Sequence, residues 1–431
     1  MAAFLSEHAY IIPIVVLFFC FVIKIPISFS LLSASIVYFL YTGYDLGSIC
    51  DKIMSTLFNR YVILAVPLFI FTANVLNGSR VSDYMFGFCK ALIGPRKGAL
   101  AYVNVLISLI FSGMSGSAFA DASGIGKIEV DAMHKDGYDD EFSAALTAAT
   151  STVGPVFPPS LNLVTFAMLS SASIGSLLLA GVVPAIVMCI ALAVYVCYIS
   201  NKRNYPAGTK YTMGEFLSYT IKAVPALLTP VILLTFIYTG IVTPTEAASI
   251  SALYALILAL FVYRSMTPKG VWDCFRDTAK GCGSLLLLIC ASTPFSFVIT
   301  HSGFGDIISH FFLGITDNKY IFLLLVNILF LVLGMFLDTS TITFIVLPLI
   351  LPVVEALEIN MVQFGIIYTV NTLVGMCTPP YGMLCFLSAG LCSADLKGVF
   401  REVIPMVAML LIVLLLITYI PAISLLVPGL A

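Results

Sequence analysis

The sequence predicts an all-α polytopic membrane protein made of two inverted repeats, each holding five spans and a re-entrant hairpin. Three observations carry that expectation. First, 60% of the 431 residues are hydrophobic and only 10% are charged, against about 25% charged in an ordinary globular chain. Apolar runs of the roughly 20 residues needed to cross a bilayer recur from end to end. Second, a Gly-Met pair followed by Val-Gly-x-x-x-Pro-Pro occurs twice, with every landmark offset by 221 positions: 113 to 334, 153 to 374 and 158 to 379. A fixed offset marks a repeat architecture, and paired Gly/Pro interruptions in the halves of a membrane chain mark a transport site. Third, with the N-terminus outside, 17 of the 20 Lys and Arg fall in inner loops, leaving Lys52, Arg60 and Lys319 outside, as the positive-inside rule requires. An odd number of spans per half inverts the second copy and places both termini externally.

The same features exclude other classes. A net charge of −2 says little when most of the surface faces lipid. The 11 Cys contain no C-x-x-C pair and read as small packing residues. His8, His134, His301 and His310 lack metal-ligand spacing. The N-terminus has neither a basic segment nor a small-residue cleavage site, so residues 10–23 read as a first span and not as a signal peptide.

The first half places spans at 10–23, 27–43, 61–77, 141–170 and 175–198. The second places them at 225–241, 244–263, 283–300, 361–390 and 403–425. Two further apolar stretches, 99–133 and 320–355, are broken by small and polar residues. Their first arms, Leu100–Phe111 and Ile321–Leu333, hold 12 and 13 residues. At 1.5 Å per residue that is about 20 Å, short of a core about 30 Å thick. They read as hairpins, the first entering from inside and the second from outside. Segments 44–60 and 264–282 read as amphipathic arms on the membrane surface, and the basic loop 199–224 joins the halves.

The hairpin tips and the broken spans could carry chemistry. The first tip, Ser112–Asp121, is rich in Ser and Gly, and irregular backbone at membrane depth survives only where it lines a cavity. Its oxygens suit a hard cation and the following helix start suits an anion; the alternative is small-residue packing. In the second tip, Asp338-Thr339-Ser340-Thr341, an ionisable residue sits inside an apolar run and is a functional candidate by default. It also fits the role of an N-cap. In the Val-Gly-x-x-x-Pro-Pro segments, Gly permits unwinding and Pro frees a carbonyl. Carbonyls of 154–157 and 375–378 are expected to face the tips. Polar residues cluster beside them: Thr150, Ser151, Thr152, Ser160 and Asn162, then Asn371, Thr372 and Thr378. Thr243-Pro244-Thr245-Glu246 reads as a capping box with a structural role.

The Ser/Gly tip, the Pro-Thr-Glu-Ala-Ala of 244–248, the Asp-Thr-Ser-Thr of 338–341 and the Thr-Pro-Pro of 378–380 resemble the large membrane subunit of tripartite ATP-independent periplasmic (TRAP) transporters, over essentially the whole chain. The resemblance implies an elevator-type, Na+-coupled secondary transporter of the bacterial inner (cytoplasmic) membrane. Its expected substrate is an organic acid such as sialic acid or a C4-dicarboxylate, delivered by a periplasmic substrate-binding protein. A small four-helix membrane subunit is the expected partner, as a separate chain. Segments 1–97 and 200–318 would form a static scaffold, with 98–199 and 319–431 the moving transport domain. The resemblance places sodium site 1 at Ser115, Gly116 and Ser117 with Gly154, Val156 and Phe157. It places sodium site 2 at Asp338, Thr339 and Thr341 with Gly375, Cys377 and Thr378. Substrate is expected at Ser117, Ser160, Asn162, Asp338, Thr339 and Asn371, since no Arg or Lys lies at that depth.

Two other readings remain. Gly113-Met114-Ser115-Gly116 matches a short motif of intramembrane serine proteases, but a nucleophilic Ser needs a His within hydrogen-bond reach. Tyr44-Asp45 and Gly303-Phe304-Gly305-Asp306 echo intramembrane aspartyl proteases, in the wrong order and outside the spans. A one-component sodium- or proton-coupled carboxylate transporter or antiporter keeps the fold and changes the coupling. A buried carboxylate pair would favour protons; Asp338 nearly alone at depth favours sodium.

Overall fold

The computed structural model describes residues 11–59, 61–79 and 81–430. The chain termini, His8, Arg60 and Arg80, all used in the orientation and composition arguments above, lie outside these residues. The described chain is helical throughout, with one isolated β-bridge between Lys97 and Ala207.

The first half runs through α1 (Ile11–Val22), α2 (Ile27–Thr42), α3 (Gly47–Asn59), α4 (Ala65–Asn77) and α5 (Val81–Ile93). The first hairpin is α6 (Ala99–Ser115), α7 (Ala118–Ser123) and α8 (Ile125–Lys135). A broken span follows as α9 (Asp140–Thr150) and α10 (Leu161–Leu169), then α11 (Ile174–Ala180) and α12 (Val182–Arg203). The second half runs through α13 (Met213–Thr239), α14 (Pro244–Ile257), α15 (Pro268–His301) and α16 (Phe304–Ile315). Its hairpin is α17 (Lys319–Phe336), α18 (Thr339–Ile345) and α19 (Leu347–Ala356), and its broken span is α20 (Met361–Cys377) and α21 (Met383–Cys392). It closes with α22 (Leu396–Tyr419) and α23 (Pro421–Leu425). Among the described residues six helices are long and apolar enough to cross a membrane, and α18 and α19 form a pair bent by 62°.

The 221-residue offset recurs in the positions of several elements. Shifted back by 221, α17 falls on 98–115, α18 on 118–124, α19 on 126–135 and α21 on 162–171, over α6, α7, α8 and α10. The Pro158–Pro159 and Pro379–Pro380 bonds, also 221 apart, are both cis.

Several boundaries differ from the sequence reading. The hairpin arms α6 and α17 hold 17 and 18 residues instead of 12 and 13, about 26 and 27 Å at 1.5 Å per residue. The polar ends of the arms keep helical hydrogen bonds instead of unwinding, so shortness is not what marks these hairpins; the breaks at their tips are. Segment 268–301 is one 34-residue helix and not an arm followed by a span, started by the Thr267 N-cap with Pro268 behind it. Helices α5 and α16 fall outside the spans the sequence predicts, because charged and small residues interrupt their apolar stripe. The V-G-x-x-x-P-P segments are not alike: α9 stops at Thr150, whereas α20 stays helical through Gly375 to Cys377.

Two packing groups emerge. Helix α15 packs on α2, α3 and α4, while α13 packs on α5 and α14. Separately, α9 packs on α21 and α22, α12 on α22, and α10 on α18 and α20. The segment after α12 is pinned. Arg203 bridges Asp139 at 3.0 Å and Glu402 at 2.7 Å, and the Tyr205 hydroxyl donates to Asp139 at 2.7 Å. The Gly98 N–H donates to Pro206 O and the Gly208 N–H to Arg96 O.

Candidate functional site

Both tips open onto one cavity of about 300 Å³. The first contributes Gly116, Ser117, Ala118 and Phe119; the second contributes Asp338, Thr339 and Ser340. The broken spans add Leu161, Asn162 and Thr165 from α10, and Leu373 and Met376 from α20. Val66 and Leu285 close it from α4 and α15. No Lys or Arg lines it among the described residues.

Each tip is a helix start set by its own side chain. Ser117 accepts from the Ala120 N–H and caps α7, which satisfies one otherwise orphaned donor. Asp338 accepts from the Thr341 N–H at 3.2 Å and from the Thr341 hydroxyl, and so caps α18. The N-cap reading of Asp338 and its cavity role therefore hold together. The Thr339 hydroxyl donates to Met376 Sδ at 3.3 Å, which joins the tip to α20. Gly116 has φ +61° and lies against the Pro159 carbonyl, where any Cβ would collide. That contact fixes the first tip to the first broken span. Thr243 and Glu246 form the expected capping box.

Four of the six expected substrate residues, Ser117, Asn162, Asp338 and Thr339, line the cavity. Ser160 and Asn371 do not. Ser160 caps α10, accepting from Leu163 N at 3.1 Å and donating to Pro155 O. Asn371 is fully buried and donates to Asn327 O and Oδ1 at 2.9 Å, tying α20 to α17. Both are polar residues consumed by internal structure.

Three of the eight carbonyls expected to face the tips, those of Pro155, Gly375 and Cys377, accept hydrogen bonds elsewhere. Pro155 O accepts from Ser160, and Val156 O abuts Gly181. Gly375 O accepts from Thr378 N at 2.8 Å, and Cys377 O from the Cys385 thiol at 3.2 Å. Gly375 serves close packing instead of unwinding: a Cβ there would lie 2.7 Å from Gly334 Cα. Thr378 donates to Val374 O at 2.6 Å, and the Phe157 ring lies beside Gly113. Ser115 donates to Asp121 and has no His partner among the described residues.

Sequence reasoning missed Pro159, Thr165, Met376 and Tyr368. Thr165 lies one turn beyond Asn162 on the same face of α10, a spacing that could have flagged it. The buried Tyr368 hydroxyl meets Thr343 Oγ1 at 2.7 Å and Thr339 O at 3.2 Å, bracing the second tip from behind.

The family model of the tripartite ATP-independent periplasmic transporter, DctM component, matches residues 14–423. The chain belongs to this family. The sialic acid TRAP transporter large permease protein SiaM of Vibrio cholerae is 36% identical over 405 residues, covering 94% of this chain and 95% of that one. The sialic acid TRAP transporter permease protein SiaT of Haemophilus influenzae is 33% identical over 99% of this chain and 69% of its own length. The C4-dicarboxylate TRAP transporter large permease protein DctM of Pseudomonas aeruginosa is 32% identical, covering 92% and 93%. In fold the chain is similar to the crystal structure of the Alcanivorax borkumensis YdaH transporter, with a TM-score of 0.64 at 14% identity, covering 87% of this chain and 88% of that one. The molecule is thus a multi-pass TRAP transporter component and not an enzyme, which disposes of both protease motifs.

Proposed function

We propose that this chain is the large subunit of a Na+-coupled importer of a sialic-acid-type organic acid. One observation carries the reading: two repeat-related helix starts, capped by Ser117 and Asp338, converge on one cavity without a basic side chain. A carboxylate there would rest on helix N-termini and the Ser, Thr and Asn side chains. Asp338 repels it unless a cation sits alongside, so ion and acid bind together. The cavity of about 300 Å³ is of the size of small-molecule sites, roughly 300–1,000 Å³. Relatives named for sialic acid at 36% and 33% identity support that choice of acid.

The packing group of α9–α12 with α18 and α20–α22 would move as the transport domain against a scaffold of α1–α5 and α13–α15, in an elevator-like stroke. The family's description as tripartite supports two partners, a small membrane subunit and a periplasmic binding protein. The chain would sit in the bacterial inner membrane with both termini periplasmic.

The test is uptake into proteoliposomes containing all three components, with sodium, potassium or proton gradients imposed separately. Uptake driven by sodium alone, with a saturable sodium-specific rise in melting temperature, is expected. Ligand that binds only the native state stabilises by about 2.7 kcal/mol at a hundredfold excess over Kd. A second reading, proton coupling, gains from Asp121 and Glu129, both buried; the sequence places Asp121 in the first hairpin and does not single out Glu129. Uptake that follows the proton gradient without sodium would replace the first reading with the second.

A further inference from the structure

The second broken span ends α20 on Cys377 and resumes in α21, whose third residue is Cys385. Both side chains are fully buried. Their sulfurs lie 4.0 Å apart, and the Cys385 thiol also donates to Cys377 O at 3.2 Å. Both cysteines are free thiols. The segment 378–384 between them holds Pro379, Pro380 and Gly382. Gly382 turns the chain back at φ +53°, a conformation that costs glycine little.

A packing role alone would be served by Ala or Ser at either position. Two sulfurs in mutual contact add a redox chemistry that neither of those residues has. The break is also the open part of the span. Pro380 and Tyr381 are exposed, and Thr378 and Pro379 are half-buried. Cys377 lies one residue in from that opening, within reach of a water-sized oxidant.

From this juxtaposition we infer that Cys377 and Cys385 are a reversible disulfide site that staples the second broken span. With hydrogen peroxide as oxidant the step balances. One thiol takes an oxygen atom to become a sulfenic acid, and a water leaves. The second sulfur then displaces the sulfenic hydroxyl, which departs with that thiol's proton as a second water and leaves the S–S bond. A small dithiol reverses the step by exchange and is itself oxidised. The bond draws the sulfurs from 4.0 Å to the roughly 2.05 Å of a disulfide. That contraction falls one residue from Met376, which lines the cavity and whose sulfur accepts from the Thr339 hydroxyl at 3.3 Å. The staple ties α20 to α21 and pulls on the wall that holds the second tip, so the oxidised chain transports less.

The experiment counts maleimide-reactive thiols on the denatured chain after the native complex with its small subunit has met hydrogen peroxide. Oxidised wild type is expected to label two fewer thiols than reduced wild type, and dithiothreitol is expected to restore both. Cys385→Ser keeps a donor for Cys377 O and is expected to show no loss. Cys377→Ala answers the same labelling question if the first variant does not fold. Cys392→Ser is expected to behave as wild type. In proteoliposomes with all three components, peroxide is expected to lower uptake of radiolabelled sialic acid by wild type and not by Cys385→Ser. An equal thiol count before and after peroxide overturns the inference, as does a loss that persists in Cys385→Ser or resists dithiothreitol. A disulfide that leaves uptake unchanged supports the site and overturns its effect on transport. The uptake arm rests on the proposed substrate. Failure of reduced wild type to take up sialic acid would count against that substrate, while the thiol count still decides the site.

Discussion

Ser117 and Asp338 occupy the same place in the two halves, 221 positions apart, and each caps the short helix beyond its tip. The first tip meets the cavity with a neutral hydroxyl and keeps its carboxylate, Asp121, buried four residues further on. The second puts its carboxylate at the cap itself, on the cavity wall. Each tip is also held differently. The first leans on the Pro159 carbonyl through Gly116; the second is braced by the Tyr368 hydroxyl and Met376. The repeat supplies the geometry twice, while the side chains divide the tasks: one tip shapes the cavity and the other charges it.

The largest effect that could break this comparison lies at the matched glycines 113 and 334. Gly334 of α17 abuts Gly375 of α20, whereas Gly113 of α6 abuts Pro230 of α13, where a Cβ would come to 2.7 Å. Gly334→Val is expected to cost about 3 kcal/mol or more through overpacking, seen as loss of folded protein in size-exclusion chromatography. Gly113→Ala is expected to fold and lose uptake, because its clash is with α13 of the proposed scaffold. Similar melting temperatures for the two would mean that the glycines do the same job.

Next in size is charge. Asn is as good an N-cap as Asp, so Asp338→Asn keeps α18 and removes only the carboxylate. The melting temperature without sodium should hold, with sodium-dependent uptake down at least tenfold. Ser117→Ala should also cost about 1 kcal/mol of stability and lower uptake, by a smaller factor than Asp338→Asn. The smallest effect is Tyr368→Phe, about 1 kcal/mol for lost hydrogen bonds, read as a lower melting temperature with sodium affinity unchanged. A change in affinity without a change in melting temperature would place Tyr368 in the site and not behind it.

The repeat, the tips and their capping roles were legible because each has a local signature: a fixed offset, an Asp in an apolar run, a capping residue before an apolar helix. Glu129 was not legible. It sits between Lys127 and Asp131, a pattern that reads as a solvated face, and only tertiary packing buries it. Ser160 and Asn371 failed in the opposite sense. A buried polar side chain can face a cavity or a neighbouring helix, and composition does not distinguish the two. The unequal breaks in α9 and α20 were hidden for the same reason, since Gly375 is chosen by contact with Gly334 and not by its own backbone.

The pinned segment after α12 has a mechanical consequence. It is fastened as far as Gly208, and the capping box at Thr212 starts the next long helix at Met213. Five Cα-to-Cα steps remain free, at most about 17 Å when fully extended at roughly 3.4 Å each. If one packing group slides past the other as proposed, this leash would bound the stroke on that side of the molecule. Shortening it by two residues would cap the travel at about 10 Å, making the tether a ruler for how far the machine must reach.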